Sequence, residues 1–261
     1  MLEFTGPIEK TEVALAHSFV ETSRRVDGER PRAQRSISET TTAFFEGVVS
    51  PLSRVVGLGL DAPVNANDVD EITDFYLQRG AAARIWENPA SNASLREELT
   101  RAQYAPVLYQ NVLAVDLSQH GGRRDPRVEE LRDLETWADA SASAFVGDDL
   151  EFRNEQFAFA KVVASTPGIT ALAAFSENEL AATSALAIRG EFASLLLGST
   201  LPRYRRLGLH NALVMDRMAR AREARARYAY ALAGIGSASE RNFSRCGFAV
   251  LYTRTLWEKR A

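Results

Sequence analysis

The sequence predicts a mixed α/β fold, in which a β-sheet is covered by helices on both faces. Apolar runs of strand length recur along the chain, for example Phe192–Thr200 and Tyr228–Ala233, and segments with helical periodicity lie between them. The chain has 261 residues, of which 46% are apolar and 25% are charged. This composition is typical of a globular protein, and the length is sufficient for two small domains.

The first half of the chain is predicted to alternate between helices and strands. We expect helices over Ile8–Val26, Asp68–Gln78 and Ser94–Arg101, a loop over Glu29–Ser38, and strands over Thr40–Glu46, Arg54–Leu60, Ala82–Trp86 and Pro106–Leu117. Asn67 is the expected N-cap of the second helix. The spacing between Ser94 and Glu97 predicts a capping box at the start of the third.

The second half is predicted to follow a similar order. We expect strands over Val128–Leu134, Ile169–Phe175, Leu180–Ile188, Phe192–Thr200, Tyr228–Ala233 and Phe248–Trp257, and helices over Leu134–Ala144, Phe152–Ala164 and Asn211–Arg220. A turn at Glu177–Asn178 makes a hairpin of two of these strands. A last short helix begins near Ser237 and ends at Gly247, a residue typical of a helix C-terminus.

A basic turn, Leu201–His210, lies between an apolar strand and a helix. The first N–H groups of a helix lack acceptors and its dipole places partial positive charge there, so this position favours an anion. Arg205 and Arg206 add formal positive charge, and Gly208 lets the backbone approach a ligand closely. The sequence therefore predicts a phosphate or pyrophosphate site, although it has neither the P-loop nor the Rossmann spacing.

The pattern Arg205-x-x-Gly208-x-His210 resembles the Q/R-x-x-G-x-G/A motif of the GNAT superfamily of N-acetyltransferases, except that His210 replaces the small last residue. Ser237–Phe248 resembles the GNAT ending, in which a helix carrying an Asn precedes Gly-Phe and a final strand. The resemblance covers about residues 125 to 257. It implies that the basic turn holds the pyrophosphate of acetyl-CoA.

The resemblance also implies which residues hold the cofactor. In GNAT folds the strand before the phosphate loop splays from its neighbour, and backbone groups there bind the pantetheine arm and polarise the thioester. For Gly198 a simple β-bulge is a compatible interpretation. The expected cofactor-binding residues are Gly198, Ser199, Thr200, Leu201, Arg205, Arg206, Leu207, Gly208, Leu209, His210, Asn211, Asn242, Phe243 and Arg245. His210 either bonds a phosphate or points to solvent.

Tyr252 and Glu191 are the candidate catalytic residues. The resemblance implies a thiolate-protonating Tyr where this chain has Phe243, and Tyr252 is the nearest replacement. A strand tyrosine is alternatively a core residue. The strand Phe192–Thr200 has no carboxylate at its centre, so Glu191 at its start, or ordered water, is the candidate for taking the proton of the amine.

The two halves of the chain also resemble each other. Leu99–Tyr109 matches Phe243–Tyr252 with one inserted residue, but the stretch at the matching offset from the phosphate loop, Asp61–Ala66, has no Arg and no Gly. We therefore expect a degenerate GNAT-like domain over residues 1–117 and an acetyltransferase domain over residues 118–261, joined by the polar linker Ser118–Pro126. Coincidence between two short helix–strand units is the alternative.

Composition limits the partners. The net charge of −3 argues against a nucleic-acid partner, and no apolar run has bilayer length. No signal peptide is recognised, and one cysteine, Cys246, is expected to be a buried residue in a reducing cytoplasm. No cluster has metal-ligand spacing. Five arginines are expected to form a solvated helix face: Arg217, Arg220, Arg222, Arg225 and Arg227.

The sequence thus predicts a cytoplasmic N-acetyltransferase, a monomer or homodimer without metal. The resemblance implies that it transfers an acetyl group from acetyl-CoA to a primary amine of a small molecule or peptide, by direct attack of the amine on the thioester. One alternative is a non-catalytic acyl-CoA-binding or interaction module with a GNAT fold. The other is a phosphate-binding domain unrelated to CoA. The sequence does not identify the acceptor.

Overall fold

The computed structural model describes residues 2–146 and 150–260, and it divides into two compact units. The first unit runs to Asn111 and includes the end of the chain from Leu251, and the second unit comprises Val112–Val250. The expected duplication, with two GNAT-like halves that meet at residue 117, stays a prediction. Each unit is described separately below.

The first unit contains three helices and parts of two long strands among its elements. In chain order they are α1 (Thr5–Val26), β1 (Ala33–Ser36), β2 (Thr42–Phe45), β3 (Arg54–Val56), α2 (Ala66–Leu77), β4 (Ala83–Glu87), α3 (Ala93–Arg101), β5 (Ala105–Asp116) and, at the end, β11 (Ala249–Lys259). Strands β1, β2 and β3 form one antiparallel sheet. A second sheet, of eight strands, includes β4, β11 and β5 in that order, and β4 is antiparallel to β11.

Several expectations for the first unit are wrong in detail. The expected loop Glu29–Ser38 contains β1, and the strand expected over Arg54–Leu60 ends at Val56. At Gly57 the backbone has a φ of +84°, which is outside the extended region, so the strand ends there; a Cβ would lie 2.0 Å from the carbonyl oxygen of Thr40, so only glycine fits this position.

The N-caps of α2 and α3 also differ from expectation. The side chain of Asn65, not Asn67, caps α2 and forms a capping box with Asp68. Helix α3 is capped by Asn92, whose Oδ1 accepts a hydrogen bond from the backbone N–H of Ser94, so the expected Ser94–Glu97 capping box is absent from these described residues. In both cases a neighbouring Asn accepts a hydrogen bond from an N–H group of the first helical turn. Sequence spacing does not distinguish two suitable N-cap residues.

The second unit contains the remaining helices and strands. In chain order they are β6 (Val128–Glu130), α4 (Leu134–Val146), α5 (Leu150–Ser165), β7 (Ile169–Ser176), β8 (Glu179–Arg189), β9 (Phe192–Thr200), α6 (Leu209–Glu223), β10 (Tyr228–Gly234) and α7 (Ala238–Arg245). The strand order is β5–β10–β9–β8–β7–β6. Strands β6 to β9 are antiparallel, while β9 and β10 are parallel. These elements lie close to their expected bounds, and the mixed α/β fold class is confirmed.

The apolar side of α6 packs into the core of the second unit. Leu213, Val214 and Met218 are buried there beside Leu195 of β9 and Phe248. Burying apolar surface on both a helix and a strand stabilises their packing and fixes where the helix begins. The start of α6 is thereby held at the end of β9. Among the described residues no helix is long and apolar enough to cross a membrane.

Strand β9 changes its pairing near its end. It pairs with β10 at only three positions, from Phe192 to Ser194, and its register with β8 shifts between Ala185 and Thr183. Leu197 and Gly198 face the single residue Ser184, which is a β-bulge, and Leu197 has a φ of +45°. Backbone groups of β9 after Ser194 are therefore not engaged by β10 in the ladder.

The segment Ser118–Pro126 is not a free linker. Gly122 has a φ of +66°, and a Cβ there would lie 2.4 Å from the carbonyl oxygen of Met215 and 2.6 Å from the backbone nitrogen of Ala219. The backbone N–H of Arg123 donates a hydrogen bond to the carbonyl of Met215. This polar, Gly-containing stretch therefore packs tightly against α6.

Candidate functional site

A cleft of about 790 Å³ opens in the second unit where β9, the basic turn, α6 and α7 meet. The expected cofactor residues Leu201, Leu207 and Phe243 do not line it, whereas the others do. Tyr204, two residues of α4 and two residues of α7, Ala238 and Ser239, complete the wall. The lining residues are Ala144, Phe145, Gly198, Ser199, Thr200, Tyr204, Arg205, Arg206, Gly208, Leu209, His210, Asn211, Ala238, Ser239, Asn242 and Arg245.

Two left-handed residues shape the basic turn. Arg206 has a φ of +69° and Gly208 a φ of +76°. Nothing lies within 4 Å of a Cβ placed on Gly208, so it is the backbone conformation that favours glycine there, not crowding. The side chain of Arg206 is exposed, and it has no hydrogen-bond partner in the part of the chain that the structure describes.

The N-terminus of α6 opens into this cleft. Gly208 is its N-cap and supplies no side-chain cap. The N–H groups of Leu209, His210 and Asn211 belong to the first helical turn, where a helix offers no acceptors. These donors and the helix dipole give the cleft a positive end that suits a phosphate group.

Arg205 and Arg206 play different structural roles. The Nε of Arg205 donates to the carbonyl of Thr200, and its Nη2 donates to the carbonyl of Ala144, each at 3.3 Å. Arg205 thus ties the basic turn to the end of β9 and to α4. Arg206 is not tied in this way, which leaves its guanidinium the better placed of the two to meet an anion.

Helix α7 supplies the opposite wall. Ser237 caps the helix by accepting a hydrogen bond from the N–H of Glu240, and Arg245 donates to Oδ1 of Asn242 at 3.2 Å. Next to this helix the thiol of Cys246 donates to Oδ1 of Asn211 at 2.6 Å. Burial raises the pKa of Cys246 to about 11, so its thiol is protonated and unreactive at neutral pH.

The ring of His210 points from the basic turn towards Gly198 and Phe243. Its Nε2 lies 3.3 Å from the place where a Cβ on Gly198 would stand, and the ring meets Phe243 edge-on with centroids 5.7 Å apart. Its Nδ1 is buried without a partner among the described residues. Burial, and to a lesser extent the charge of Arg217, lower the pKa of His210 to about 4, so the imidazole is neutral at pH 7.

The structure does not bring the two predicted catalytic residues to this cleft. Tyr252 belongs to the first unit, where its buried hydroxyl donates to Oε1 of Glu9 at 2.7 Å. Glu191 is exposed at the end of β9 opposite Gly198, and its backbone carbonyl accepts hydrogen bonds from the N–H groups of Arg227 and Tyr228. Their catalytic roles stay predictions.

The expectation of a solvated arginine face on α6 is wrong for Arg217, which is 0% exposed. Its guanidinium lies beneath the β9 bulge, donating to backbone carbonyls. The prediction failed because a charged side chain is normally placed on the solvated face of a helix, whereas Arg217 shares the buried face of α6 with Val214 and Met218.

Sequence reasoning also missed Tyr204. It lines the cleft from the short turn Pro202–Tyr204, and its hydroxyl donates to the carboxylate of Glu179. A tyrosine between basic residues gives no pattern that distinguishes this position. Among the described residues no group of three or more His, Cys, Asp or Glu is placed to hold a metal ion.

Comparisons with known protein structures show the fold. A GCN5-related N-acetyltransferase from Kribbella flavida superposes with a TM-score of 0.65 at 16% identity, covering 95% of each chain. The chain has a GNAT fold. A putative GNAT-family acetyltransferase from Novosphingobium aromaticivorans gives a TM-score of 0.55 at 18% identity, covering 86% of this chain and 90% of its own.

A tandem GNAT protein from the clavulanic acid biosynthesis pathway gives a TM-score of 0.59 at 11% identity and covers 94% of each chain. No family model and no curated protein sequence matches. At these identities the similarity is one of fold, and it agrees with the resemblance carried by the basic turn and the Gly-Phe ending. A GNAT fold in this chain places the bulged strand β9 and the N-terminus of α6 on the same cleft.

Proposed function

We propose that the chain is an acetyl-CoA-dependent N-acetyltransferase whose cofactor binds in the cleft of the second unit. The observation that carries this proposal is the meeting of three features in one cleft: a bulged strand end, an uncapped helix N-terminus and an exposed arginine. The acceptor is a primary amine of a small molecule or peptide. The single, buried cysteine fits a reducing compartment, and we expect the enzyme to work in the cytoplasm.

The cleft suits a pyrophosphate. Backbone N–H groups of Leu209, His210 and Asn211 supply donors, and Arg206 supplies a formal charge that no described residue neutralises. Among the described residues that line the cleft there is no carboxylate, which favours an anion there. We assign the phosphates to this end.

The other end of the cleft suits an extended amide chain. After Ser194 the backbone of β9 leaves its ladder with β10, and Gly198, Ser199 and Thr200 line the cleft. A pantetheine arm carries amide groups that pair with a strand as a peptide does. We assign this arm, and the thioester at its end, to the backbone of these three residues.

Acetyl-CoA supplies the thioester, whose carbonyl carbon is attacked by the amine while the carbon–sulfur bond breaks. The amine must lose one proton and the sulfur must gain one. His210 is neutral but a weak base, because burial lowers its pKa to about 4. We therefore assign proton removal to water admitted by the open cleft.

A second function, CoA binding without turnover, is favoured by one observation. Phe243 stands where the resemblance implies a thiolate-protonating tyrosine, and its ring is buried against His210 and Phe248. A chain of this kind would bind CoA and acetyl-CoA equally well and release no thiol. Only a turnover measurement separates the two functions.

The binding site is tested by Arg206→Glu, with Arg225→Glu as its matched control. Both arginines are exposed and both have a left-handed backbone, with φ of +69° and +66°, but Arg225 does not line the cleft. We expect acetyl-CoA and CoA to raise the melting temperature of the wild type and of Arg225→Glu, but not of Arg206→Glu. Equal shifts in all three would contradict the site.

Turnover is tested with a panel of primary amines and peptides, by following the CoA thiol released from acetyl-CoA. Amine-dependent release that disappears in Arg206→Glu and persists in Arg225→Glu supports the enzyme. Binding without release for any acceptor supports the non-catalytic alternative. A thermal shift with ATP but with neither CoA species would favour a phosphate-binding domain unrelated to CoA.

A further inference from the structure

Arg217 is a fully buried arginine on α6, and its hydrogen bonds converge on the β9 bulge. Its Nη1 donates to the carbonyls of Leu196 at 3.2 Å and Ala185 at 3.3 Å, and its Nε donates to the carbonyl of Leu213 within its own helix. Ala185 and Leu196 are the last regular pair before the register shift. The guanidinium therefore bridges β8 and β9 at the edge of the bulge.

The remaining nitrogen of Arg217 faces the cleft strand. Its Nη2 is buried without a hydrogen-bond partner among the described residues, and it lies 3.3 Å from where a Cβ on Gly198 would stand. His210 Nε2 lies at the same distance from that point. The guanidinium of Arg217 and the imidazole of His210 thus fill the space that a side chain at position 198 would occupy.

The charge of Arg217 has no carboxylate partner in the described part of the chain. The adjacent Asp216 is also buried, but its two oxygens accept hydrogen bonds from Arg124 and Arg220. Burial lowers the pKa of Arg217 to about 9. An unpaired buried guanidinium is unfavourable for folding, since it gives up its hydration for hydrogen bonds to neutral carbonyls.

We propose that Arg217 is a positioning residue, which holds the β9 bulge so that Gly198, Ser199 and Thr200 present their backbone to the thioester end of the cofactor. This inference rests on the proposed function. The far side of the bulge is fixed by a hydrogen bond of 2.8 Å between the hydroxyls of Thr183 and Ser199. Arg217 fixes the near side, and it acts on the strand without lining the cleft itself.

A merely structural arginine would affect every ligand of the cleft alike. A residue that positions β9 should affect only ligands that reach β9, because the N-terminus of α6 and Arg206 bind phosphates independently of the bulge. Two probes separate these cases. Acetyl-CoA spans both ends of the cleft, whereas adenosine 3′-phosphate 5′-diphosphate lacks the pantetheine arm and reaches only the phosphate end.

The experiment measures dissociation constants of both probes for the wild type, Arg217→Met, Arg217→Lys and the control Arg220→Met. Arg220 lies on the same helix and is paired with Asp216, away from the cleft. We expect Arg217→Met to weaken acetyl-CoA at least tenfold and to leave the second probe within twofold of wild type. Arg217→Lys keeps one donor group, so its loss for acetyl-CoA should be smaller. Arg220→Met should leave the dissociation constants of both probes unchanged.

Equal weakening of the two probes by the Arg217 variants, or no weakening, would overturn the inference while leaving the proposed function intact. Failure of both variants to fold would assign Arg217 to stability alone and also overturn it. If the wild type binds neither probe, the proposed function fails and this inference fails with it. Selective loss of acetyl-CoA binding is the supporting result.

Discussion

The hydroxyl of Tyr252 donates a hydrogen bond of 2.7 Å to Oε1 of Glu9 in the first unit. Both side chains are buried, and Nη1 of Arg254 lies 4.0 Å from the other oxygen of the carboxylate. Burial raises the pKa of Glu9, and the charge of Arg254 and the hydrogen bond from Tyr252 oppose this effect. The tyrosine thus stabilises a buried carboxylate, and this hydrogen bond gives Tyr252 a structural role.

We expect Tyr252→Phe to reduce the free energy of unfolding by about 1–3 kcal/mol, because it leaves a buried carboxylate oxygen without its donor. Acetyl-CoA binding should be unchanged. Tyr109→Phe is the control, since Tyr109 lies on β5 in the same unit and is 51% exposed. Urea unfolding and calorimetric titration measure the two effects. A large loss of turnover with intact stability would instead support the predicted catalytic role of Tyr252.

His210 gives the second unit a pH-dependent stability. Its pKa is about 4 in the folded chain, against an ordinary value of 6.5, because burial disfavours the charged ring. Between these values the unfolded chain binds a proton that the folded chain does not. The stability contribution is therefore complete above pH 6.5, and it is lost as the pH falls from 6.5 towards 4.

From this shift we expect the free energy of unfolding of the wild type to fall by about 2 kcal/mol more than that of His210→Ala when the pH is lowered from 7 to 5. The alanine also restores the small residue of the GNAT motif. Urea unfolding of both proteins at the two pH values gives the comparison, and the difference between the two losses is the measured quantity. Identical losses would show that the ring of His210 is not buried as described.

The basic turn and β9 could be predicted because their signals are local. Phe192–Thr200 is a largely apolar segment of strand length, and Gly208 marks the left-handed residue that precedes α6. Arg217 could not be predicted, because its buried guanidinium donates to carbonyls of two different strands, Ala185 of β8 and Leu196 of β9. The sequence allows a bulge at Gly198, but which carbonyls lie beside that bulge depends on the pairing of β9 with β8.

The catalytic predictions were limited for a related reason. Phe243 stands where the resemblance implies a tyrosine, and distance along the chain does not indicate which other tyrosine lies near the cleft. Tyr252 is near in sequence yet hydrogen-bonded to Glu9 in the first unit, while Tyr204 lines the cleft of the second unit. Which tyrosine faces a cleft is decided by tertiary packing, and strand periodicity predicts only that a residue is on one face.

Asp216 is expected to be a stabilising centre of the second unit. Its buried carboxylate accepts hydrogen bonds from Arg124 at 2.9 Å, from Arg220 at 2.5 Å and from the backbone N–H of Asp125 at 3.2 Å. It thus joins α6 to the segment that precedes β6. Removing its charge leaves two guanidinium groups without their main partner.

We expect Asp216→Asn to reduce the free energy of unfolding by about 3 kcal/mol. Glu223→Gln is the matched control, because Glu223 also bonds Arg124 from α6, at 3.1 Å, but is 57% exposed in its side chain. Surface pairs of this kind contribute about 0–1 kcal/mol. Urea unfolding of both variants decides the point. Similar losses in the two would mean that burial of Asp216 adds nothing to its ion pairs.

Gly122 tests whether Ser118–Pro126 is a packed segment or a free linker. A Cβ at this position would lie 2.4 Å from the carbonyl oxygen of Met215, so Gly122→Ala must push the segment away from α6. Gly190→Ala is the control, because Gly190 also has a positive φ, +57°, and nothing lies within 4 Å of its Cβ position.

Both alanines are unfavourable in a left-handed backbone by about 1 kcal/mol. We expect Gly122→Ala to lose at least ~2 kcal/mol more than Gly190→Ala in urea unfolding, the usual cost of overpacking. Detachment from α6 should also expose Ser118–Pro126 to limited proteolysis in Gly122→Ala and not in Gly190→Ala. If the two variants lose the same free energy of unfolding and are cleaved equally, the segment is a linker that contributes nothing to the packing of α6.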